Sequence, residues 1–168
     1  MVKRLILHDL PPQMAEELCT YAKDATVFCA RPVVRHCVGC FGCWIKTPGQ
    51  CVIADRAREF CAAISRHDEL IIISKLTFGG LSPDVKAVLD RSIGYMLPFF
   101  RIVGGEMHHV QRFPSSPSLT YHFYQTAGKT AQKQTAQKLA AANAINFGSP
   151  NVTVCFYEDN PPIGEALL

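Results

Sequence analysis

The chain has 168 residues, 48% of them hydrophobic and 18% charged, with a formal net charge of +3. That length fits one domain spanning 1–168 with a sizeable core, and that balance excludes a disordered chain. Lys and Arg never form a run of five or more, and so small and evenly spread a charge argues against a nucleic-acid partner.

Residues 3–8 are a short apolar run of strand length, followed by Pro11 and Pro12, which suit a helix start and not a central strand. Met14, Leu18, Tyr21 and Ala22 then recur at helical spacing and predict one apolar face. Residues 25–30 (Ala-Thr-Val-Phe-Cys-Ala) are rich in β-formers and predict a second strand. Segment 31–54 has no period and holds Cys37, Cys40, Cys43 and Cys51, together with Trp44 and the turn Thr47-Pro48-Gly49. Asp55 reads as an N-cap, because Ala57, Phe60, Cys61 and Ile64 follow at i, i+3, i+4 and i+7.

Residues 69–74 (Glu-Leu-Ile-Ile-Ile-Ser) predict a strand buried on both faces, as in a parallel sheet. After the turn at Gly79 and Gly80, Ser82-Pro83-Asp84 gives N-cap, N1 proline and first-turn acid in order, predicting a helix that runs toward Tyr95. Segment 96–118, with Pro98, Gly104-Gly105, Pro114 and Pro117, is expected to be a long irregular functional loop. Strand patterning resumes over 119–125. Ala136, Leu139, Ala140 and Ala144 share a face of a last helix ending near Gly148, and 152–157 predicts the final strand. The tail 161–168 is expected at the surface.

Five strands alternating with helices predict a three-layer α/β sandwich, a doubly wound parallel sheet of flavodoxin-like type with strand order 2-1-3-4-5. Such sheets bind ligands beyond the carboxyl ends of their strands, here at residues 9–12, 75–81 and 126–129. The apolar stretch at 5–7 is far shorter than a secretory core, and no uncharged run approaches membrane-spanning length. The expectation is a cytoplasmic protein, whose eight cysteines are reduced or engaged in metal or redox work rather than in a disulfide framework.

Three segments carry candidate chemistry. In Cys37-Val-Gly-Cys40-Phe-Gly-Cys43, followed by seven residues and then Cys51, the spacing permits a [4Fe–4S] cluster, a structural zinc or a thiol–disulfide pair. It equally permits four reduced cysteines in a packed loop. The turn formed by Thr77, Phe78, Gly79 and Gly80 places backbone N–H groups at the ligand edge, with Phe78 available to lie along a planar ring or to enter the core. The third is Gly105-Glu106-Met107-His108-His109. The adjacent histidines beside an acid could ligate a metal, shuttle protons or contact a ligand phosphate, but adjacent side chains diverge, which favours a solvated or hydrogen-bonded pair, with His109 a candidate for a site rim. Cys19, Cys29, Cys61 and Cys155 lie on predicted helices and strands and read as small buried hydrophobes.

Taken together, these segments resemble the flavodoxin-fold NAD(P)H-dependent FMN reductases and iron–sulfur flavoproteins. The matching stretches are Cys-x-Gly-Cys-x-x-Cys-Trp-x-Lys-Thr-Pro-Gly-x-Cys from Cys37 to Cys51, residues 77–82 followed by Lys86 and Leu89-Asp90-Arg91, and residues 105–109 with Arg112. The resemblance implies an oxidoreductase or electron carrier with FMN as cofactor, NAD(P)H as donor and a small-molecule or protein electron acceptor. It further implies a homodimer or homotetramer, an isoalloxazine ring lined by Thr77, Phe78, Gly79 and Gly80, and a [4Fe–4S] cluster on Cys37, Cys40, Cys43 and Cys51. One departure stands out. Where that family places a Gly-Ser-x-Arg phosphate loop, this chain has His8-Asp9-Leu10-Pro11-Pro12-Gln13, with no glycine, no hydroxyl and an acid. The alternative expectation is therefore a flavodoxin-like binding or scaffold module that has lost FMN.

Overall fold

The computed structural model describes residues 2–164. The central strand is β3 (Glu69–Lys75), whose run of isoleucines is buried on both faces. Around it stand β1 (Arg4–His8), β2 (Ala25–Cys29), β6 (Ser118–Tyr124) and β7 (Val152–Phe156), all parallel, in the order β2-β1-β3-β6-β7. With a hairpin of two strands inserted between β3 and β6, this is the 2-1-3-4-5 order of a flavodoxin-like sheet.

The two faces of the sheet are covered unequally. On one, α3 (Phe60–Ile64), α4 (Pro83–Asp90) and α5 (Thr130–Phe147) enclose the larger core, which contains Leu5, Leu7, Ile72, Val88, Tyr121 and Phe123. On the other, α1 (Pro12–Tyr21) packs Leu18 against Ile6, Ile71 and Ile73. Of the α1 face expected from the sequence, Leu18 and Ala22 are buried, whereas Tyr21 turns to solvent. The tail contributes more than expected: Pro161 is buried and Ile163 packs against this smaller core, while residues 165–168 lie outside the described part.

Three elements depart from the sequence reading. The helix behind Asp55 is confined to Phe60–Ile64, because the Asp55 carboxylate is shared between the Ala57 N–H and Arg91. The helix from Ser82 ends at Asp90 and is followed by a 3₁₀ turn, Ile93–Tyr95. Segment 96–118 is not irregular: β4 (Met96–Val103) and β5 (Glu106–Gln111) form an antiparallel hairpin. Its turn is Gly104-Gly105, both with positive φ, as a tight hairpin connection requires. Among the described residues no helix is long and apolar enough to cross a membrane.

Candidate functional site

The 77–80 turn sits at the carboxyl end of β3. The Ser82 N–H donates to Ser74 Oγ at 2.9 Å, and Ser82 Oγ accepts from the Val85 N–H at 3.3 Å, the helix cap that the sequence implied. Thr77 and Gly80 exchange backbone hydrogen bonds at 3.0 and 2.9 Å and close the turn. Gly79 has φ +79°, and a Cβ there would stand 2.9 Å from Cβ of Thr135. Its N–H donates to Gln132 Oε1 at 3.2 Å. The glycine therefore lets the turn lie directly on α5. Phe78 belongs to no core; with φ 49° it projects from the tip, 93% exposed.

The cysteine loop is organised by a buried cation. Arg91, at the end of α4, is 2% exposed. Its Nη1 donates to Asp55 Oδ1 at 2.6 Å and to the Arg35 carbonyl at 3.3 Å. Its Nη2 donates to the Ile53 carbonyl at 2.9 Å, and its Nε to Cys51 Sγ at 3.3 Å. One guanidinium thus ties down four points of an otherwise irregular segment. Burial works to raise the Asp55 carboxyl, but hydrogen bonds led by that from Arg91 outweigh it and hold the group below the usual carboxylate range.

The four clustered cysteines divide into two kinds: Cys43 and Cys51 are buried, whereas Cys37 and Cys40 are exposed. Burial and then the neighbouring Cys51 push the Cys43 thiol up, and burial pushes Cys61 up to about 12, so neither favours the thiolate. Among the described residues no three His, Cys, Asp or Glu side chains stand together as a metal-holding group. Of the remaining cysteines only Cys61 is fully buried; Cys29 and Cys155 are half-buried, and Cys19 on α1 is exposed, contrary to the sequence expectation.

Trp44, on the short helix α2 (Gly42–Ile45), joins this loop to the hairpin. Its Nε1 donates to the Met96 carbonyl at 2.8 Å, and its ring lies 5.5 Å from Phe41 and 5.2 Å from His109. The two histidines diverge, as expected. His109 Nδ1 donates to the Leu97 carbonyl at 2.8 Å, while His108 pairs with Asn146 at 2.9 Å and Glu106 at 3.3 Å.

These pieces enclose a cleft of about 910 Å³ between α4 and α5. One end is the 77–80 turn; one wall is the cysteine loop with Cys37, Cys40, Cys43, Cys51 and Trp44; the floor includes Leu89, Leu139 and Phe147. The lining is largely apolar. Its two cationic side chains are engaged, Lys86 with Asp90 and Arg91 with Asp55. Two of the three sequence motifs thus meet in one place, while His109 lies beside it, in an apolar recess with Phe41, Trp44 and Phe100. Sequence reasoning missed Arg91 as the anchor of the loop, and missed Asn143 and Asn146 as polar groups on the α5 wall. An arginine closing an apolar helix face was the available signal for the first.

At the end of β1 stands the acid of the His8–Gln13 segment. Asp9 is wholly buried, not facing solvent. Its carboxylate accepts from the Lys75 N–H at 3.2 Å and from the Tyr124 hydroxyl at 3.1 Å. Burial pushes this carboxyl up, against hydrogen bonds from Ser82, Tyr124 and Lys75. The Leu10 N–H donates to His8 Nδ1 at 3.2 Å, and Pro11 and Pro12 have no N–H to offer.

Comparison with known proteins agrees with this architecture. No family model matches the chain. It is 37% identical over 68 residues to a protein named iron–sulfur flavoprotein from Methanocaldococcus jannaschii, a match covering 38% of this chain and 34% of that one. The chain therefore matches only about a third of that relative's length. Among solved structures, a Streptococcus mutans protein superposes with a TM-score of 0.59 at 14% identity, covering 93% of this chain and 87% of that one. An azoreductase from Bacillus anthracis gives 0.58 at 12% identity, covering 94% and 88%. An NAD(P)H:quinone oxidoreductase from Methanothermobacter marburgensis gives 0.56 at 15%, covering 94% and 87%. The fold is flavodoxin-like: the likeness to the azoreductase and the quinone oxidoreductase is one of fold, and the likeness in sequence is to the iron–sulfur flavoprotein over 68 residues.

Proposed function

We propose that the protein is a flavin-dependent NAD(P)H oxidoreductase or electron carrier whose ring-binding site is the cleft between the 77–80 turn and the cysteine loop. The observation carrying this is that two motifs more than a helix and a strand apart in sequence line one apolar cleft of about 910 Å³, a size suited to a planar heteroaromatic ligand. Thr77, Phe78, Gly79 and Gly80 would hold the ring at one end, with Leu89 and Leu139 along its length. A bound flavin supplies hydride acceptance from NAD(P)H and onward electron transfer to a small-molecule or protein acceptor. The chain's own part is to position the ring, exclude water with apolar walls, and keep the cysteine loop in place through Arg91. The exposed apolar residues Phe41, Ile45 and Phe100, in and beside the cleft, support self-association as a homodimer or homotetramer.

The apolar lining suits the ring portion of FMN, whereas the end of β1 suits its phosphate arm poorly, because Asp9 takes the Lys75 N–H and the Tyr124 hydroxyl there. A [4Fe–4S] cluster on Cys37, Cys40, Cys43 and Cys51 is the companion reading, favoured by the name of the Methanocaldococcus relative. In the loop as it stands Arg91 Nε donates to Cys51 Sγ, and among the described residues no three of these thiols stand together as a metal-holding group, so a cluster would require the loop to rearrange. One anaerobic purification tests both. A yellow protein bleached by NADH or NADPH upholds the flavin reading, whereas a colourless protein that takes up no flavin on titration overturns it. Iron and sulfide in stoichiometric amounts uphold the cluster, and their absence overturns it.

A further inference from the structure

Two donors at the sheet edge, the Lys75 N–H and the Tyr124 hydroxyl, are taken by the chain's own Asp9. The Asp9 carboxylate lies under the N-cap of α4, receiving the Lys75 N–H and the Tyr124 hydroxyl, and the Tyr124 hydroxyl also reaches the Asp9 carbonyl at 3.3 Å. Next to it the entry to α1 carries Pro11 and Pro12, which remove two of the backbone N–H groups that make a helix start an anion site. The nearby Arg31 is committed to Asp84 at 2.9 Å. Within the cleft, Lys86 and Arg91 are likewise paired with Asp90 and Asp55. A phosphate monoester arriving at the end of β1 would meet the buried Asp9 carboxyl and a helix start short of two N–H donors, with the exposed ammonium of Lys75 as the cation beside them.

We infer that the cleft takes a flavin without its phosphate, recognising the uncharged ring and ribityl chain of riboflavin at least as well as FMN. The Asp9 carboxyl substitutes for the ligand's phosphate in holding together β1, β3, β6 and the start of α4. This inference rests on the flavin reading above and narrows it to the unphosphorylated class. On the α5 wall the polar ribityl chain would meet acceptors, Asn143 Oδ1 and Thr135 Oγ1, whose donor groups are bonded to the Tyr121 hydroxyl and the Ala131 carbonyl.

The test is a parallel titration of the full chain with riboflavin and FMN, followed by quenching of flavin fluorescence. Two charge-assisted hydrogen bonds to a phosphate are worth a factor of about 10² or more, so a working cradle makes FMN much the tighter ligand. The inference expects the two dissociation constants to agree within about threefold, or to favour riboflavin, with no effect of added inorganic phosphate on either. FMN binding about 30-fold or more tighter than riboflavin, with inorganic phosphate competing, overturns it and leaves the flavin reading intact. Failure of both flavins to bind overturns the flavin reading and this inference with it.

Discussion

Replacing Arg91 by alanine is expected to lower the unfolding free energy by about 3–5 kcal/mol. The side chain is fully enclosed, and its removal leaves Cys51 Sγ and the carbonyls of Ile53 and Arg35 without this donor and the Asp55 carboxylate with only the Ala57 and Arg35 N–H groups. Breaking one side of such a pair costs more than the pair contributes, because the stranded groups keep their desolvation penalty. For a chain of this length the loss corresponds to a fall in Tm of about 10 °C. Adding Asp55→Ala to Arg91→Ala is expected to cost much less than the sum of the two single changes, since both act on one network. Urea unfolding of the three variants checks this. A loss within about 1 kcal/mol for Arg91→Ala contradicts the role given to the guanidinium. Because the same contacts hold one wall of the cleft, ligand uptake is expected to fall with them.

The second large effect is a loss of stability in acid. Burial holds the imidazoles of both His8 and His122 down to about 4, from an ordinary value of 6.5. His8 Nδ1 accepts the Leu10 N–H, and His122 pairs through Nδ1 with the Tyr157 hydroxyl at 2.9 Å while its Nε2 has no partner. Between pH 6.5 and about 4 the unfolded chain therefore binds protons at these positions that the folded chain refuses, so stability rises with pH across that window. It is fully present above 6.5 and lost as the pH falls, by about 3 kcal/mol for each histidine at the acid end. Asp9 acts in the opposite sense: its raised carboxyl binds a proton more readily in the fold, which offsets part of the acid loss. Unfolding free energies measured from pH 7.5 down to 4.5 are expected to fall, and to fall about half as far in His122→Phe. A flat profile contradicts the neutral, buried state of these rings.

What the sequence disclosed depended on how local each signal was. The isoleucine run of β3 and the Ser82-Pro83-Asp84 start of α4 are complete within a few residues, and both stand where expected. The hairpin of β4 and β5 was hidden because Phe99, Phe100 and Ile102 are all exposed and Pro98 interrupts the strand, so no alternation announced it; the Gly104-Gly105 pair was the legible sign. Asp55 looked like the start of a long helix because a cap and an ion-pair partner of a distant arginine are the same residue on paper. The Cys37–Cys51 segment was visible as a motif, but its meeting with the 77–80 turn depends on the loop being carried to the end of α4 by Arg91 and to the hairpin by Trp44. The acid in the degenerate loop could be read; its inward direction, into the hydroxyl of Tyr124, could not.

The most direct measurement of the central claim is a flavin titration of the wild type beside Leu139→Trp. Leu139 lines the cleft against Gly80 and is only half-buried, so a tryptophan there fills the space assigned to the ring without entering the core. The expected result is saturable uptake by the wild type and affinity weakened by about 30-fold or more in the variant, with unchanged circular dichroism. Equal affinity in the two proteins, or no uptake by the wild type, contradicts a ring held between the 77–80 turn and the cysteine loop.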